Sequence, residues 1–159
     1  MRSGCGEGAP GHREGGAALL DHRPSLAADQ PILIVDDDAS VRTMLATMFR
    51  ADGWQVVEAE DGNEGLRVTL KIRPWAAVVD VQMPGLGGLQ LTRVLRQAGL
   101  GSAGLRIIVF TTGTTSQQEA IEAGADSLFL KDDLLLLRQA LRADDLAPGQ
   151  PGGGPAFAF

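Results

Sequence analysis

The stretch that decides the fold reads Ile32-Leu33-Ile34-Val35-Asp36-Asp37-Asp38. Four apolar residues end abruptly in three carboxylates. A continuous apolar run is typical of a strand buried on both faces, and the sudden charge indicates that anions gather where this strand ends. The same switch from apolar to polar recurs in segments 76–80 and 106–111, which end in Asp80 and Thr111.

Helical patterns separate these strands. The first helix is predicted to follow the acids, with Asp38 or Ser40 as its N-cap and Gly53 at its end. Asp61-Gly62 predicts a turn. Further helices are predicted at 64–71, 89–97, 116–123 and 133–142, and further strands at 56–57 and 127–131. Five βα units of this kind predict an α/β fold, in which a doubly wound parallel sheet is covered by helices on both faces.

Composition sets the size of the folded unit. The chain has 159 residues, of which 44% are hydrophobic and 21% charged, as is typical of one globular domain. Segment 1–30 is rich in glycine and segment 146–159 in proline and glycine, so both are expected to be disordered. The folded domain is expected to span 31–145, with no attached output domain.

Charge and hydropathy exclude several partners. The net charge is −6, and the sequence has no run of Lys or Arg that could bind the phosphates of a nucleic acid, so no nucleic-acid contact is expected. No apolar stretch reaches the roughly 18 residues of a membrane span. Cys5 is the single cysteine and the chain begins without the apolar core of a secretory signal, which favours a reducing, cytoplasmic location.

Polar residues at the strand ends predict one site. Ligands of doubly wound sheets bind beyond the carboxyl ends of the strands, where the winding reverses. In the strand order 2-1-3-4-5 this crevice lies between the first and third strands, whose ends carry Asp36, Asp37 and Asp80. Carboxylates that converge repel one another unless a cation enters, and Mg²⁺ is a hard cation that oxygen ligands suit.

The later strands add two groups that suit a phosphate. Carboxylates can accept phosphoryl groups, so Asp80 is a candidate nucleophile. Phosphoryl transfer also needs a donor and a cation aimed at the phosphoryl oxygens. Thr111 and Lys131 end the fourth and fifth predicted strands, from which a hydroxyl and an ammonium would reach that phosphate.

Four segments together resemble the receiver domain of bacterial two-component response regulators. They are 32–38, 80–85, 107–111 and 123–131. Each motif alone is common, whereas their joint order and spacing are specific. The resemblance covers about residues 31–143 and implies a flavodoxin-like (βα)5 fold; the strand order given above is that of this family and is therefore not independent of it.

The resemblance also implies roles for the site residues. Asp80 would accept a phosphoryl group from a sensor histidine kinase or a histidine phosphotransfer protein. Asp37, Asp80 and the backbone carbonyl of Gln82 would bind Mg²⁺ directly, and Asp36 would act through a coordinated water. The domain would be a signalling module and not an enzyme, passing its state to a downstream protein.

For the remaining site residues, Thr111 and Lys131 would each contact a phosphoryl oxygen.

Three departures from the family pattern concern the surrounding loops. Gly87 stands where many relatives have Asp, and Asp132 where many have a cis proline, so a trans bond is expected there. Segment 111–131 also looks shorter than in typical relatives.

Two other functions fit the sequence. A pseudo-receiver would keep the fold and use it only as a binding surface. A haloacid-dehalogenase-like phosphohydrolase is loosely suggested by the order of Asp36, Asp38, Thr111 and Lys131, although it does not explain Asp80.

The last helix predicts a protein interface. Leu134-Leu135-Leu136-Leu137 places apolar residues on every side of this helix, whereas a surface helix normally keeps one face polar. Core packing accounts for part of the run, and the rest suggests a homodimer or a kinase complex centred here.

Overall fold

The structure is a computed structural model that describes residues 30–100 and 104–142. The predicted leader 1–30, apart from Gln30, and the predicted tail 146–159 lie outside the described residues, so both stay predictions.

Five parallel strands form one sheet in the order β2-β1-β3-β4-β5, as predicted. They are β1 (Ile32–Val35), β2 (Val56–Ala59), β3 (Ala76–Val79), β4 (Arg106–Thr111) and β5 (Ser127–Leu130). Val35 lies opposite both Ala59 and Val79, so the carboxyl ends of the three strands meet at one edge. β3 and β5 end one residue earlier than predicted, and Asp80 and Lys131 therefore follow the strands as loop residues.

Helices connect the strands and cover both faces of the sheet. They are α1 (Ala39–Ala51), α2 (Gly62–Ile72), α3 (Gly88–Gln97), α4 (Gln117–Ala123) and α5 (Leu134–Arg142). Asp38 is the N-cap of α1, and Ser40 lies inside the helix. The chain bends at Asp61, as predicted, but α2 begins at Gly62, two residues earlier than predicted, because the Asp61 side chain accepts a hydrogen bond from the Glu64 backbone and caps the helix there.

The core has two layers, one on each face of the sheet. On one face Ile34 packs in a cluster with Phe49 of α1 and Leu137 of α5. On the other, Val35 packs in a cluster with Leu91 of α3. Alternate residues of β1 thus face opposite layers, and all four are fully buried, which explains the continuous apolar run.

The two ends of the sheet carry different kinds of residue. Trp54 and Trp75 precede β2 and β3 and stack with ring centroids 5.0 Å apart, at the edge opposite the acids. The carboxyl edge carries the polar loops. Among the described residues, no helix is long and apolar enough to span a bilayer.

Candidate functional site

Three carboxylates converge at the carboxyl edge of the sheet. Asp36 and Asp37 follow β1, and Asp80 follows the neighbouring β3. One oxygen from each lies within 4.8 Å of the others; Asp36 and Asp80 are buried, and Asp37 is exposed. We call these three residues with Thr111 and Lys131 the carboxyl-edge site. The structure thus brings together the acids that the sequence placed at the two strand ends.

The start of α1 separates the roles of the three consecutive acids. Asp38 turns toward the helix, where its Oδ1 accepts hydrogen bonds from the backbone N–H groups of Ser40 (2.8 Å) and Val41 (3.4 Å). Asp36 Oδ1 accepts the Asp38 backbone N–H at 2.9 Å, and Arg42 Nη1 donates to the Asp36 carbonyl at 2.6 Å. These bonds fix the loop while leaving Asp37 open to solvent.

Lys131 bridges the two buried acids. Its Nζ lies 2.8 Å from Asp36 Oδ2 and 3.2 Å from Asp80 Oδ2. Burial works to lower the pKa of Lys131, but the contacts with Asp36 and Asp80 outweigh it and hold that pKa above the ordinary value. The Lys131 backbone N–H donates to the Thr111 carbonyl, which fixes the loop after β5 against β4. The bond from Lys131 to Asp132 is trans, as expected.

The ionised form of the Asp80 carboxyl remains energetically unfavourable despite the contact with Lys131. Burial raises the pKa of Asp80 and the negative charge of Asp36 raises it further, while Lys131 and the backbone N–H of Gln82 oppose them without cancelling them. An additional cation would therefore stabilise the ionised carboxyl.

The donor set fits a hard divalent cation. All three side chains offer oxygen, the ligand type that Mg²⁺ prefers, and one oxygen of each lies within 4.8 Å of the others. The exposed Asp37 leaves room for the waters that Mg²⁺ retains. The carbonyl of Gln82, predicted as a further ligand, belongs to the exposed loop after Asp80, and its metal role stays a prediction.

Thr111 contributes an unsatisfied hydroxyl. Its side chain is fully buried at the end of β4, and Oγ1 has no hydrogen-bond partner among the described residues. A buried polar atom without a partner is costly, so the site gains if a ligand oxygen accepts this hydrogen bond.

Two glycines allow helices to pack closely against the chain between Asp80 and α3. A Cβ on Gly88, the first residue of α3, would lie 2.0 Å from the Asp80 carbonyl oxygen. A Cβ on Gly62 would lie 2.0 Å from the Leu86 carbonyl oxygen. Gly87, just before Gly88, is the N-cap of α3 and offers no side-chain cap.

Two arginine networks outside the site escaped the sequence analysis. Asp52, at the end of α1, pairs with Arg138 and Arg142 of α5. Arg96 of α3 donates to the carbonyls of Gly124 (2.6 Å) and Leu105 (2.9 Å), and to the carboxylate of Asp126 (2.7 Å). No local pattern marks these pairs, because the partners are far apart along the chain.

The chain is similar in sequence to proteins of a known family. The sequence profile of the response regulator receiver domain matches residues 32–142. The DNA-binding response regulator MtrA of Mycobacterium tuberculosis is 32% identical over 128 residues, which cover 76% of this chain and 54% of that protein. The response regulator MprA of a Mycobacterium species is 35% identical over 133 residues, covering 80% and 56%. The chain therefore spans about half the length of the curated relatives it matches.

Solved structures show the same architecture. The chemotaxis protein CheY4 of Vibrio cholerae superposes with a TM-score of 0.65 at 28% identity, covering 71% of this chain and 96% of that one. A LuxR-family two-component response regulator from Aurantimonas superposes with a TM-score of 0.63 at 35% identity, covering 70% and 81%.

Proposed function

Because the chain belongs to the response regulator receiver domain family, we propose that it accepts a phosphoryl group on Asp80 in a Mg²⁺-dependent reaction and signals through protein contacts. The observation that carries this proposal is the carboxyl-edge site itself. At this edge of the sheet lie three converging carboxylates, an ammonium that bridges two of them, and a buried hydroxyl with no hydrogen-bond partner among the described residues.

The proposed ion site uses oxygen ligands. Asp37, Asp80 and the Gln82 carbonyl would hold Mg²⁺, with Asp36 acting through a coordinated water. When bound, the ion supplies positive charge that offsets the carboxylates and the phosphoryl oxygens.

The chain's own residues perform the transfer. An Asp80 carboxylate oxygen attacks the phosphorus of a phosphohistidine; the P–O bond forms as the P–N bond breaks, and the leaving imidazole nitrogen retains its electron pair and takes up a proton. Lys131 moves from the carboxylates to a phosphoryl oxygen, and Thr111 Oγ1 donates to another. These contacts stabilise the charge that the transferred group brings.

Partners follow from this chemistry. The donor would be a sensor histidine kinase or a histidine phosphotransfer protein, and a downstream protein would read the phosphorylated state through a shift of conformational population. The domain therefore acts as a switch and not as a catalyst of turnover. MtrA is named a DNA-binding regulator. The expectations that this chain contacts no nucleic acid and lies in the cytoplasm remain predictions.

The surface of α5 supports an interface. Leu135 is 68% and Leu136 40% exposed, whereas Leu137 and Leu141 are buried in the core. Leu130, at the end of the edge strand β5, is also 39% exposed. We call Leu130, Leu135 and Leu136 the α5 surface and propose that a second copy of the chain or the kinase covers it.

The two alternatives gain no support from the geometry. The hydrolase would need Asp38 in the site, yet that carboxylate caps α1. A pseudo-receiver has no use for Asp80, whose buried carboxyl is maintained at a cost.

The decisive experiment adds Mg²⁺ with acetyl phosphate, or with beryllofluoride as a phosphoryl mimic. Intact mass should show one added phosphoryl group, and NMR shifts should centre on Thr111 and Lys131. Asp80→Asn should abolish both, whereas Glu122→Gln, which removes an exposed carboxylate near the end of α4, should change neither. No adduct and no shift in the unaltered protein would refute the proposal. Steady hydrolysis of phosphate esters, lost in Asp36→Asn but retained in Asp80→Asn, would instead favour the hydrolase.

A further inference from the structure

Two side chains join the loops that flank Asp80. Gln82 Nε2 donates a hydrogen bond to Thr114 Oγ1 at 2.8 Å, across 32 positions of sequence. Gln82 lies in the loop between β3 and α3, and Thr114 in the loop between β4 and α4. We call this bonded pair the strap.

The strap lies on the β4 side of the reactive carboxylate. The backbone N–H of Gln82 donates to the Asp80 carboxyl, so the residue that contacts Asp80 also reaches the neighbouring loop. Asp80 is only 6% exposed, while Asp37, on the β1 side, is open to solvent. The loops that follow β3 and β4 are therefore joined by a side-chain hydrogen bond beside Asp80, while the exposed Asp37 leaves the β1 side open to solvent.

The backbone before Thr114 supports this geometry. Gly113 has a φ of +105°, a conformation that residues with side chains rarely adopt, and it turns the chain directly after Thr112. A Cβ at Gly113 would approach Leu130 to 3.7 Å, an ordinary contact, so the backbone angle and not space is what calls for glycine here.

We propose that the strap restricts the access of water to phosphorylated Asp80 and so lengthens the life of the phosphoryl group. Thr114 is a positioning residue that acts through Gln82. This inference rests on the proposed function of Asp80 and adds a regulatory element to the same site.

The step affected is hydrolysis. A water oxygen attacks the phosphorus as the P–O bond to Asp80 breaks. The Asp80 oxygen keeps the electron pair of that bond and is a carboxylate again, and inorganic phosphate leaves with the oxygen and both protons of the water. In the closed strap the Gln82 amide donates to Thr114 and holds the two loops together. Opening it separates the loops and admits water. Because both residues are exposed, the bond is worth only a modest factor, and we expect its loss to speed hydrolysis roughly two- to tenfold.

The test uses the full chain loaded with acetyl phosphate and Mg²⁺. After the donor is removed, intact mass follows the phosphorylated fraction with time. Thr114→Val should shorten the half-life roughly two- to tenfold, and Thr114→Ser, which keeps the hydroxyl, should restore it. Thr115→Val is the matched control, since it removes the neighbouring hydroxyl and should leave the half-life unchanged.

A double-mutant cycle shows whether Thr114 acts through Gln82. Gln82→Ala keeps the backbone groups of that residue and removes only the side chain. Gln82→Ala, Thr114→Val and the double variant should share one shortened half-life, because either change breaks the same bond. A merely structural role for Thr114 would lower thermal stability without this non-additivity.

Three results would overturn the inference: an unchanged half-life in Thr114→Val, a longer one, or additive effects in the double variant. In each case normal loading would leave the proposed function intact. If the unaltered chain took up no phosphoryl group, both proposals would fall.

Discussion

At Asp80, burial and a neighbouring negative charge oppose a nearby ammonium. Its carboxyl is buried beside Asp36, and both effects raise its pKa although Lys131 lies 3.2 Å away. A group whose pKa is higher in the folded than in the unfolded chain binds more protons when folded. Its ionisation therefore costs stability, and that cost grows as the pH rises from the ordinary carboxyl pKa through the raised one.

We accordingly predict that Asp80→Asn stabilises the protein at neutral pH in the absence of Mg²⁺. Its melting temperature should exceed that of the unaltered protein at pH 7, and the difference should vanish below about pH 4, where the carboxyl is protonated in both states. Thermal unfolding followed by circular dichroism measures this, with Glu60→Gln as the control. A lower melting temperature for Asp80→Asn at pH 7 would contradict the argument.

A second prediction concerns Gly88. A methyl group there would clash with the Asp80 carbonyl oxygen at 2.0 Å, a backbone atom that cannot rotate away. We expect Gly88→Ala to cost about 2 kcal/mol or more in the free energy of unfolding. Gly87→Ala is the neighbouring control, because its Cβ would lie 3.3 Å from the Val81 carbonyl oxygen; it should cost less than about 1 kcal/mol. Urea denaturation compares them, and equal costs would show that α3 can shift.

Among the elements, α1 and α5 are tied by one buried carboxylate. Asp52 follows the last turn of α1, where the helix dipole disfavours an anion. Its side chain is 2% exposed and accepts hydrogen bonds from Arg138 at 2.6 and 2.8 Å and from Arg142. Arg138 and Arg142 are four residues apart and so share one face of α5. This pairing fixes the end of α5 that lies away from Lys131.

We predict that Asp52→Asn destabilises the protein by about 1–3 kcal/mol, less than a fully buried pair because both arginines remain partly hydrated. The hydrogen bond from Arg138 is the largest of the effects that lower the pKa of Asp52. The stability it provides is thus present above the ordinary carboxyl pKa and lost as the pH falls through the lowered one. Urea denaturation at pH 7 and pH 3 tests this.

The control is the exposed pair of Arg50 with Glu58, whose side chains are 53% and 33% exposed. Glu58→Gln should change the free energy of unfolding by less than about 1 kcal/mol. Equal effects of Asp52→Asn and Glu58→Gln would show that the contact between α1 and α5 is only a surface pair.

The helices, the strands and the polar residues at the strand ends could be predicted because each of them follows from local sequence. Asp36, Asp80 and Thr111 meet since the carboxyl ends of parallel strands share one edge, whatever the loops do. The contacts of Gln82 with Thr114 and of Arg96 with Asp126 could not be predicted, because they depend on how far flexible side chains reach between loops. The start of α2 was missed for a local reason, since an Asp-Gly pair can open a helix as well as a turn.

At the scale of the whole molecule, the proposed phosphorylation site and the proposed interface lie on neighbouring surfaces. The carboxyl edge carries the acids and the strap, while α5 and the edge strand β5 present the apolar α5 surface beside Lys131. A change at Lys131 therefore reaches this surface through only a few residues. Arg96 meanwhile holds the end of α4 and the segment just before β4 to α3.

We predict that beryllofluoride with Mg²⁺ promotes a homodimer through the α5 surface. Light scattering should show a larger mass with the mimic than without it, and Leu135→Glu should abolish the increase, because burying a charge at a dimer interface is costly. Leu70→Glu on α2 changes a side chain that is 49% exposed and should dimerise normally. A monomer under both conditions, with kinase binding unchanged in Leu136→Glu, would contradict the proposed interface.

The stacked tryptophans have a spectroscopic consequence. Trp54 and Trp75 are the two tryptophans of the whole chain, and both lie at the edge opposite the acids. With ring centroids 5.0 Å apart their excited states couple, so their emission depends on the integrity of the stack and not on events at the far edge. Intrinsic tryptophan fluorescence should therefore stay unchanged when the carboxyl-edge site binds Mg²⁺ or a phosphoryl group. It should change only when the core unfolds, so that it reports unfolding separately from binding.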